Sequence, residues 1–315
     1  MDREASVLIL GATGLIGSAC LRYLKELGFS RLHYPTRAEL NLLNTSAVSQ
    51  YVEKIKPQFV ILAAGMVGGI FYNKTKPADF INTNLAIQLN VFQAAQKAEV
   101  NKLIFFGSSC MYPRECVQPM SEDLLLTGKP EATSMSYAMS KLAGVQLCHA
   151  YNQQYQTQRF IALIPNSAYG PFDNFDPNAG HVMSAMMAKM HDAKEKNLSK
   201  LILWGTGTPR REFVHADDIA RAVIHVLSCD ETSAPLNVGV GMDWSIRELA
   251  TMIAETVGFG GEIVWDTSKP DGVLQKLLDS KKITELGWKP TIAIRDGIKK
   301  TYEWFFSEKR VIEKN

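Results

Sequence analysis

Short apolar runs recur along the first half of the chain, and each is followed by a longer segment in which apolar positions return every three or four residues. The runs are "SVLIL" (6–10), "RLHY" (31–34), "FVILAA" (59–64), "KLIFF" (102–106) and "FIALI" (160–164). They are continuous where a half-exposed strand would alternate, as expected of strands covered by helices on both faces. The pattern predicts an α/β fold with a doubly wound parallel sheet. After Pro165 it loosens into a polar loop, "YGPFDNFDPNAG", a Met-rich helix, the run "KLILWGTG", short elements and a closing amphipathic helix around 293–306. This predicts a smaller lobe beside the sheet, entered more than once by the chain. The boundaries that follow are 1–165 plus 213–235 for the large domain and 166–212 plus 236–315 for the lobe, with "EKRVIEKN" as a frayed end.

Composition narrows the function classes. At 315 residues and 46% hydrophobic the chain can bury a core without metal or disulfide staples. A formal net charge of +2 supplies no electrostatic drive toward nucleic acid or anionic membrane, so neither is expected as a partner and a small, moderately anionic ligand is. Cys20, Cys110, Cys116, Cys148 and Cys229 are odd in number and lack metal-ligand spacing. No signal-peptide pattern opens the sequence, and no apolar stretch approaches the roughly 20 residues that span a bilayer. The expectation is a soluble, reduced, cytoplasmic protein without a metal site.

The first strand turns into a helix through "LILGATGLIGSACLRYL", which spaces Gly11, Gly14 and Gly17 as a dinucleotide-binding turn does. The turn needs a residue free of Cβ, the backbone must approach a pyrophosphate, and the helix must pack close to the strand. Thr13, Leu15 and Ile16 in the same turn, and Ala63 at the end of the third strand, belong to the expected cofactor contacts. The second strand ends in "HYPTRAEL", with Arg37 available for a 2′-phosphate and no Asp at the strand end, so NADPH/NADP+ is the expected cofactor. Glu39 is the competing candidate, as a ribose ligand.

The strand "KLIFF" ends in "GSSCMYP", two hydroxyls and a thiol in one short turn. Downstream, "SYAMSKLAG" sets Tyr137 and Lys141 four apart, on one helix face. A nearby ammonium and the positive nicotinamide ring would favour tyrosinate, fitting the phenol for proton transfer. Ser108 at a carboxyl-terminal strand end completes a Ser, Tyr and Lys constellation where ligands of open α/β sheets bind.

This constellation resembles the extended short-chain dehydrogenase/reductases, in the nucleotide-sugar branch with a Rossmann half and a C-terminal sugar-nucleotide lobe. "ELNLL", "VGGI", "KPADFI", "GSSCMYP", "SYAMSKLAG", "YGPFDNF", "HVM", "WGTGTPRREFVHADD", "NVG" and "SKPDG" stand in the order and spacing of the GDP-L-fucose synthase family, over nearly the whole chain. The resemblance implies epimerisation of C3 and C5 of GDP-4-keto-6-deoxy-D-mannose, then reduction of C4 with NADPH. It implies catalytic roles for Ser108, Cys110, Tyr137, Lys141 and His181. The thiolate of Cys110 takes a carbon-bound proton, His181 returns one on the opposite face, and Tyr137 protonates the C4 oxygen. Lys141, Tyr137 and His181 also face the cofactor. Ser109, Lys189, Trp204 and Arg211 are implied on the substrate side, Arg211 at the diphosphate. In related dehydratases an acidic pair occupies the turn where this chain has Ser109 and Cys110, so dehydration has lost its acid and base.

Two departures stand out. Met66 replaces a lysine frequent in the family, and "PNSAYGP" puts Asn166 one place early, with Ser167 at the usual asparagine position. They support a rival reading, a C4 ketoreductase of another GDP-keto sugar such as a 6-deoxy-heptose. A non-catalytic NADP(H) sensor is opposed by the complete Ser108, Tyr137 and Lys141 set. His215 is expected to cap the helix after it. The Tyr137 helix and "TNLAIQLNVFQAAQKA" carry apolar residues on more than one face; relatives pair these helices in a homodimer, which places Leu142 at that interface.

Overall fold

The computed structural model describes residues 2–229, 235–269 and 271–312. Through the first half run β1 (Val7–Leu10), α1 (Leu15–Glu26), β2 (Leu32–His33), α2 (Thr45–Ile55), β3 (Phe59–Leu62), α3 (Ile70–Thr75), α4 (Pro77–Lys97), β4 (Lys102–Phe106), α5 (Met135–Gln154) and β5 (Phe160–Pro165). The second half adds β6 (Ser167–Tyr169), α6 (Val182–Glu195), β7 (Lys200–Trp204), β8 (Arg210–Arg211), β9 (Phe213–His215), α7 (Ala216–Ser228) and β10 (Leu236–Val238). It closes with β11 (Trp244–Ser245), α8 (Ile246–Val257), β12 (Glu262–Asp266), β13 (Gln275–Lys276), α9 (Lys281–Glu285) and α10 (Ile294–Ile312).

The main sheet has six parallel strands in the order β10-β5-β4-β3-β1-β2. Its inner strands β1, β3 and β5 are apolar throughout because successive side chains enter opposite cores. Val7 and Ile9 pack with α1 and α7, while Leu8 and Leu10 pack with α2, α4 and α5. The chain leaves β1 on one side for β2 and returns on the other for β3. The crevice beyond their carboxyl ends is therefore the topological switch point, where such sheets take ligands.

The lobe has its own core. Met183, Met186, Met187 and Met190 recur at helical spacing along α6 and are buried against Leu249 and Ile253 of α8. Around it lie the pair β7 and β12, the three-stranded β11-β8-β13, and the pair β6 and β9. The boundary expected at 235 moves: β10 is the edge strand of the main sheet, hydrogen-bonded to β5. The final helix also runs on to Ile312, and its Tyr302 and Phe305 rings meet the buried His191 edge-on. Leu142, expected at a subunit interface, is 4% exposed and faces the second core.

One buried carboxylate joins the two parts. Glu212, between β8 and β9, accepts from the Asn166 amide nitrogen at 2.6 Å and from the backbone N–H groups of Val240 (2.6 Å), Gly241 (2.8 Å) and Leu278 (2.9 Å). Burial pushes its carboxyl up, and those donors oppose the shift. Gly239 has no side chain for a steric reason, since a Cβ there would lie 2.4 Å from the Glu212 Oε1. Glu212→Ala orphans these donors and should cost about 3 kcal/mol of stability, read as a thermal midpoint several degrees lower. An unchanged midpoint would count against the junction role.

Candidate active site

The glycine turn lies at the switch point, and each glycine meets a different constraint. Gly11 has φ of +90°, and a Cβ there would stand 2.6 Å from the Ala64 nitrogen, close to the chain leaving β3 at Ala63. At Gly17 a Cβ would come within 2.1 Å of the Gly11 carbonyl oxygen, so the helix could not pack. Gly14 is the N-cap of α1, is exposed, and has open space around its missing Cβ save for the Gly11 oxygen at 3.6 Å. No side chain caps this helix start, so its first amides and the positive end of its dipole face the crevice. That arrangement fits a dinucleotide pyrophosphate. Thr13 is exposed beside it, while Leu15 and Ile16 anchor the turn on the first core.

At the end of β2 the two competing residues separate. The Glu39 carboxylate accepts from the Thr36 N–H at 2.7 Å and from its hydroxyl at 2.9 Å, so it closes its own loop. Arg37 is exposed and forms no ion pair among the described residues.

Ser108 lies two residues beyond β4 and caps a 3-10 turn over Ser109–Met111, its hydroxyl accepting from the Cys110 N–H at 3.2 Å. That hydroxyl also bonds the Tyr137 phenol, and Ser109 behind it is buried. Lys141, one turn along α5, points its Nζ to the Phe106 carbonyl at 2.9 Å and over the Tyr137 ring at 5.8 Å. Burial pushes this ammonium down to about 8. Burial also raises the Tyr137 phenol, the Cys110 charge adds to the shift, and the Ser108 bond opposes it. The expectation that Lys141 favours tyrosinate is thus corrected for the cofactor-free protein: the ammonium addresses a backbone carbonyl and the ring face instead of the phenol oxygen. A protonated phenol beside Ser108 is the form that donates a proton to a reduced ketone.

Across the crevice, His181 is the N-cap residue of α6, and its Nδ1 lies 3.1 Å from Asp173 Oδ1. The Ser184 hydroxyl holds the other carboxylate oxygen. The Asp173 bond raises the imidazole, burial lowers it, and the Asp173 and Cys110 charges raise it further, for a net rise. Cys110 faces this imidazole. Burial raises its thiol, but Lys276, the Ser108 bond and His181 outweigh that and bring it below the usual value. Arg211 reaches the same space from β8, its Nη1 turned to the Arg210 carbonyl at 2.7 Å. Lys189 of α6 sits 5.6 Å over the 68%-exposed Trp204 ring, which Lys269 flanks at 5.7 Å. His215 is buried and caps α7, accepting from the Asp217 N–H at 3.1 Å, as expected.

Sequence reasoning missed Asp173, Lys276 and Asn84. Asp173 was quoted only as part of a loop, and Lys276 meets Cys110 across 166 residues, so neither had a local signal. Asn84 is 1% exposed and clamps Met66, accepting from its N–H at 2.7 Å and donating to its carbonyl at 3.0 Å. Asn166 is spent on Glu212, and its Oδ1 accepts from the Ser167 N–H at 3.1 Å.

A switch-point glycine turn and a Ser, Tyr and Lys set at the end of the fourth strand define a dinucleotide-dependent reductase of the short-chain type on a Rossmann sheet. The model of the NAD dependent epimerase/dehydratase family matches residues 7–239, and the chain belongs to that family. The chain is 45% identical over 305 residues to the putative GDP-L-fucose synthase 2 of Arabidopsis thaliana, covering 97% of this chain and 93% of that protein. It is 45% identical over 308 residues to the GDP-L-fucose synthase of Escherichia coli strain K12, covering 95% and 96%. Among solved structures, MlghC, a GDP-mannoheptose C4 reductase from Campylobacter jejuni with NADP bound, superposes with a TM-score of 0.88 at 38% identity, covering 97% of this chain and 99% of that one.

The Asp173 pair carries a pH dependence of known sign. Because the native imidazole titrates above its ordinary 6.5, the pair's contribution is complete below that value and fades as pH rises through the elevated native one. Asp173→Asn should bring the His181 titration, followed by NMR of its ring protons, back toward 6.5 or below. An unmoved titration would count against the pairing.

Proposed function

We propose that the protein epimerises C3 and C5 of GDP-4-keto-6-deoxy-D-mannose and reduces C4 with NADPH, giving GDP-L-fucose. The observation that carries this reading is the turn after β4. It presents a hydroxyl to the Tyr137 phenol and, two residues on, a thiol to His181, with no carboxylate in the turn. The curated relatives at 45% identity support the same activity.

The C4 carbonyl acidifies the hydrogens on both neighbouring carbons, so one base and one acid on opposite faces can serve C3 and C5 in turn. Cys110 as thiolate takes the proton, forming an enolate whose oxygen is held by Ser108 and Tyr137. His181, whose proton affinity Asp173 raises, returns a proton to the other face. Its side chain is 45% exposed, so it recovers a solvent proton between the two events. The glycine turn and the start of α1 would hold the pyrophosphate of NADPH, Arg37 the 2′-phosphate, and Lys141 the nicotinamide ribose. When bound there, NADPH would supply hydride chemistry at C4, and Tyr137 would give its proton to the oxygen. Arg211 is assigned to the substrate diphosphate, where a planar fork suits two oxygens. Lys189 and Trp204 frame the guanine side.

A second reading, C4 reduction of a GDP-heptose with little or no epimerisation, is favoured by the likeness to the Campylobacter reductase and by Met66 and Ser167. One reaction in heavy water separates the two. NADPH and GDP-4-keto-6-deoxy-D-mannose should give a reduced product with deuterium at C3 and C5, whereas reduction without label leaves the ketoreductase. Tyr137→Phe should lose at least about a hundredfold in turnover and keep NADPH binding; unaltered turnover would remove Tyr137 as the acid.

We also propose a homodimer through α4 and α5, which expose Leu89 and Met139, each at 44%. The double change Leu89→Glu and Met139→Glu should halve the mass by light scattering, and an unchanged mass would argue against this interface. Five unpaired cysteines fit a reducing compartment, and we place the protein in the cytoplasm.

A further inference from the structure

Lys276 reaches the catalytic turn from the lobe, its Nζ lying 3.7 Å from the Cys110 sulfur. Its position is built in. Its backbone carbonyl accepts from the Glu212 N–H at 3.2 Å and from the Asn166 side chain at 3.3 Å, and β13 registers Lys276 opposite Arg211 of β8. Among the described residues no carboxylate pairs with it. We propose that Lys276 is a positioning residue that holds Cys110 as the thiolate needed for carbon deprotonation. This rests on the reading of Cys110 as the epimerisation base.

The groups facing Cys110 are Ser108 from its own turn, Tyr137 from α5, His181 from the start of α6, Arg211 from β8 and Lys276 from β13. Tyr137 is neutral and Ser108 supplies only a hydrogen bond. His181 is engaged by Asp173, whose negative charge offsets any charge on the imidazole as felt at the sulfur. The Arg211 guanidinium is turned toward the Arg210 carbonyl. Lys276 is therefore the uncompensated cation in contact with the sulfur, and a thiol in a site that disfavours charge is ionised only with such a partner. Because Glu212 and Asn166 fix the Lys276 backbone, the charge on Cys110 depends on docking of the lobe against the sheet.

The test uses the free protein, without cofactor or substrate. Thiolate absorbance at 240 nm is titrated in the parent and in Lys276→Met, each corrected by the same background carrying Cys110→Ser. The midpoint of Cys110 should rise by about a unit or more in Lys276→Met, and its alkylation by iodoacetamide at neutral pH should fall about tenfold for each unit. Lys276→Arg should restore most of both. Should Lys276→Met fail to fold, Lys276→Gln, which removes the charge but keeps a polar head on a shorter stem, gives the same comparison. A midpoint unmoved by loss of the charge overturns the proposal. In a separate steady-state assay of the same variant with NADPH and GDP-4-keto-6-deoxy-D-mannose, a change confined to a higher KM also overturns it and would make Lys276 a diphosphate ligand. The titration needs no turnover, so it stands apart from the labelling reaction: a normal thiol shift with unlabelled product would remove the epimerase reading and leave the ion pair in place.

Discussion

Four donors converge on the Glu212 carboxylate, and they come from three segments that meet where the lobe joins the sheet: the end of β5 through Asn166, the turn after β10 through Val240 and Gly241, and the segment after β13 through Leu278. A buried carboxylate without such partners would be strongly unfavourable, so the sheet and the lobe are obliged to assemble in one arrangement. Asn237 repeats the device one strand end away. Its side chain donates to the carbonyls of Met120 and Asp279, both at 2.9 Å, and accepts from the Tyr112 hydroxyl at 2.6 Å. Polar residues at the carboxyl end of the sheet thus locate the lobe, while the apolar cores supply the bulk of the stability.

That junction sets the electrostatics of the site. The same burial that raises the Tyr137 phenol lowers the Lys141 ammonium, so in the free protein the tyrosine is a proton donor and the lysine is ready to lose its charge. On the other wall, carboxylate and ammonium act in the opposite sense: Asp173 supports an imidazolium and Lys276 opposes the neutral thiol. In the proposed mechanism, proton removal, proton return and final protonation of oxygen would be separated among three residues whose surroundings push them apart, which would let one crevice perform carbon acid chemistry and ketone reduction without exchanging roles.

How much could be read beforehand varied with the range of the interaction involved. The parallel sheet, the glycine turn and the Tyr137 and Lys141 pair were legible because each is written in local spacing: continuous apolar runs, a strand-to-helix turn, and a four-residue step on a helix. The cap at His215 was legible for the same reason. Leu142 was misplaced because α5 is apolar on more than one face, and periodicity does not say which apolar face meets the molecule's own core. The edge strand β10 was assigned to the wrong side of the boundary because a three-residue strand carries little pattern.

The linear chain by itself determined the fold class, the glycine turn after the first strand and the candidate reactive groups, since these depend on residue type and near-neighbour spacing. Tertiary structure alone decided their charge states and the company they keep. Lys276 meets Cys110, Asn166 is taken by Glu212, and Asn84 clamps Met66, each across a long stretch of chain. Burial and Coulomb interactions act through space at a few ångströms, and no spacing rule reports which distant residue the folded chain will bring there.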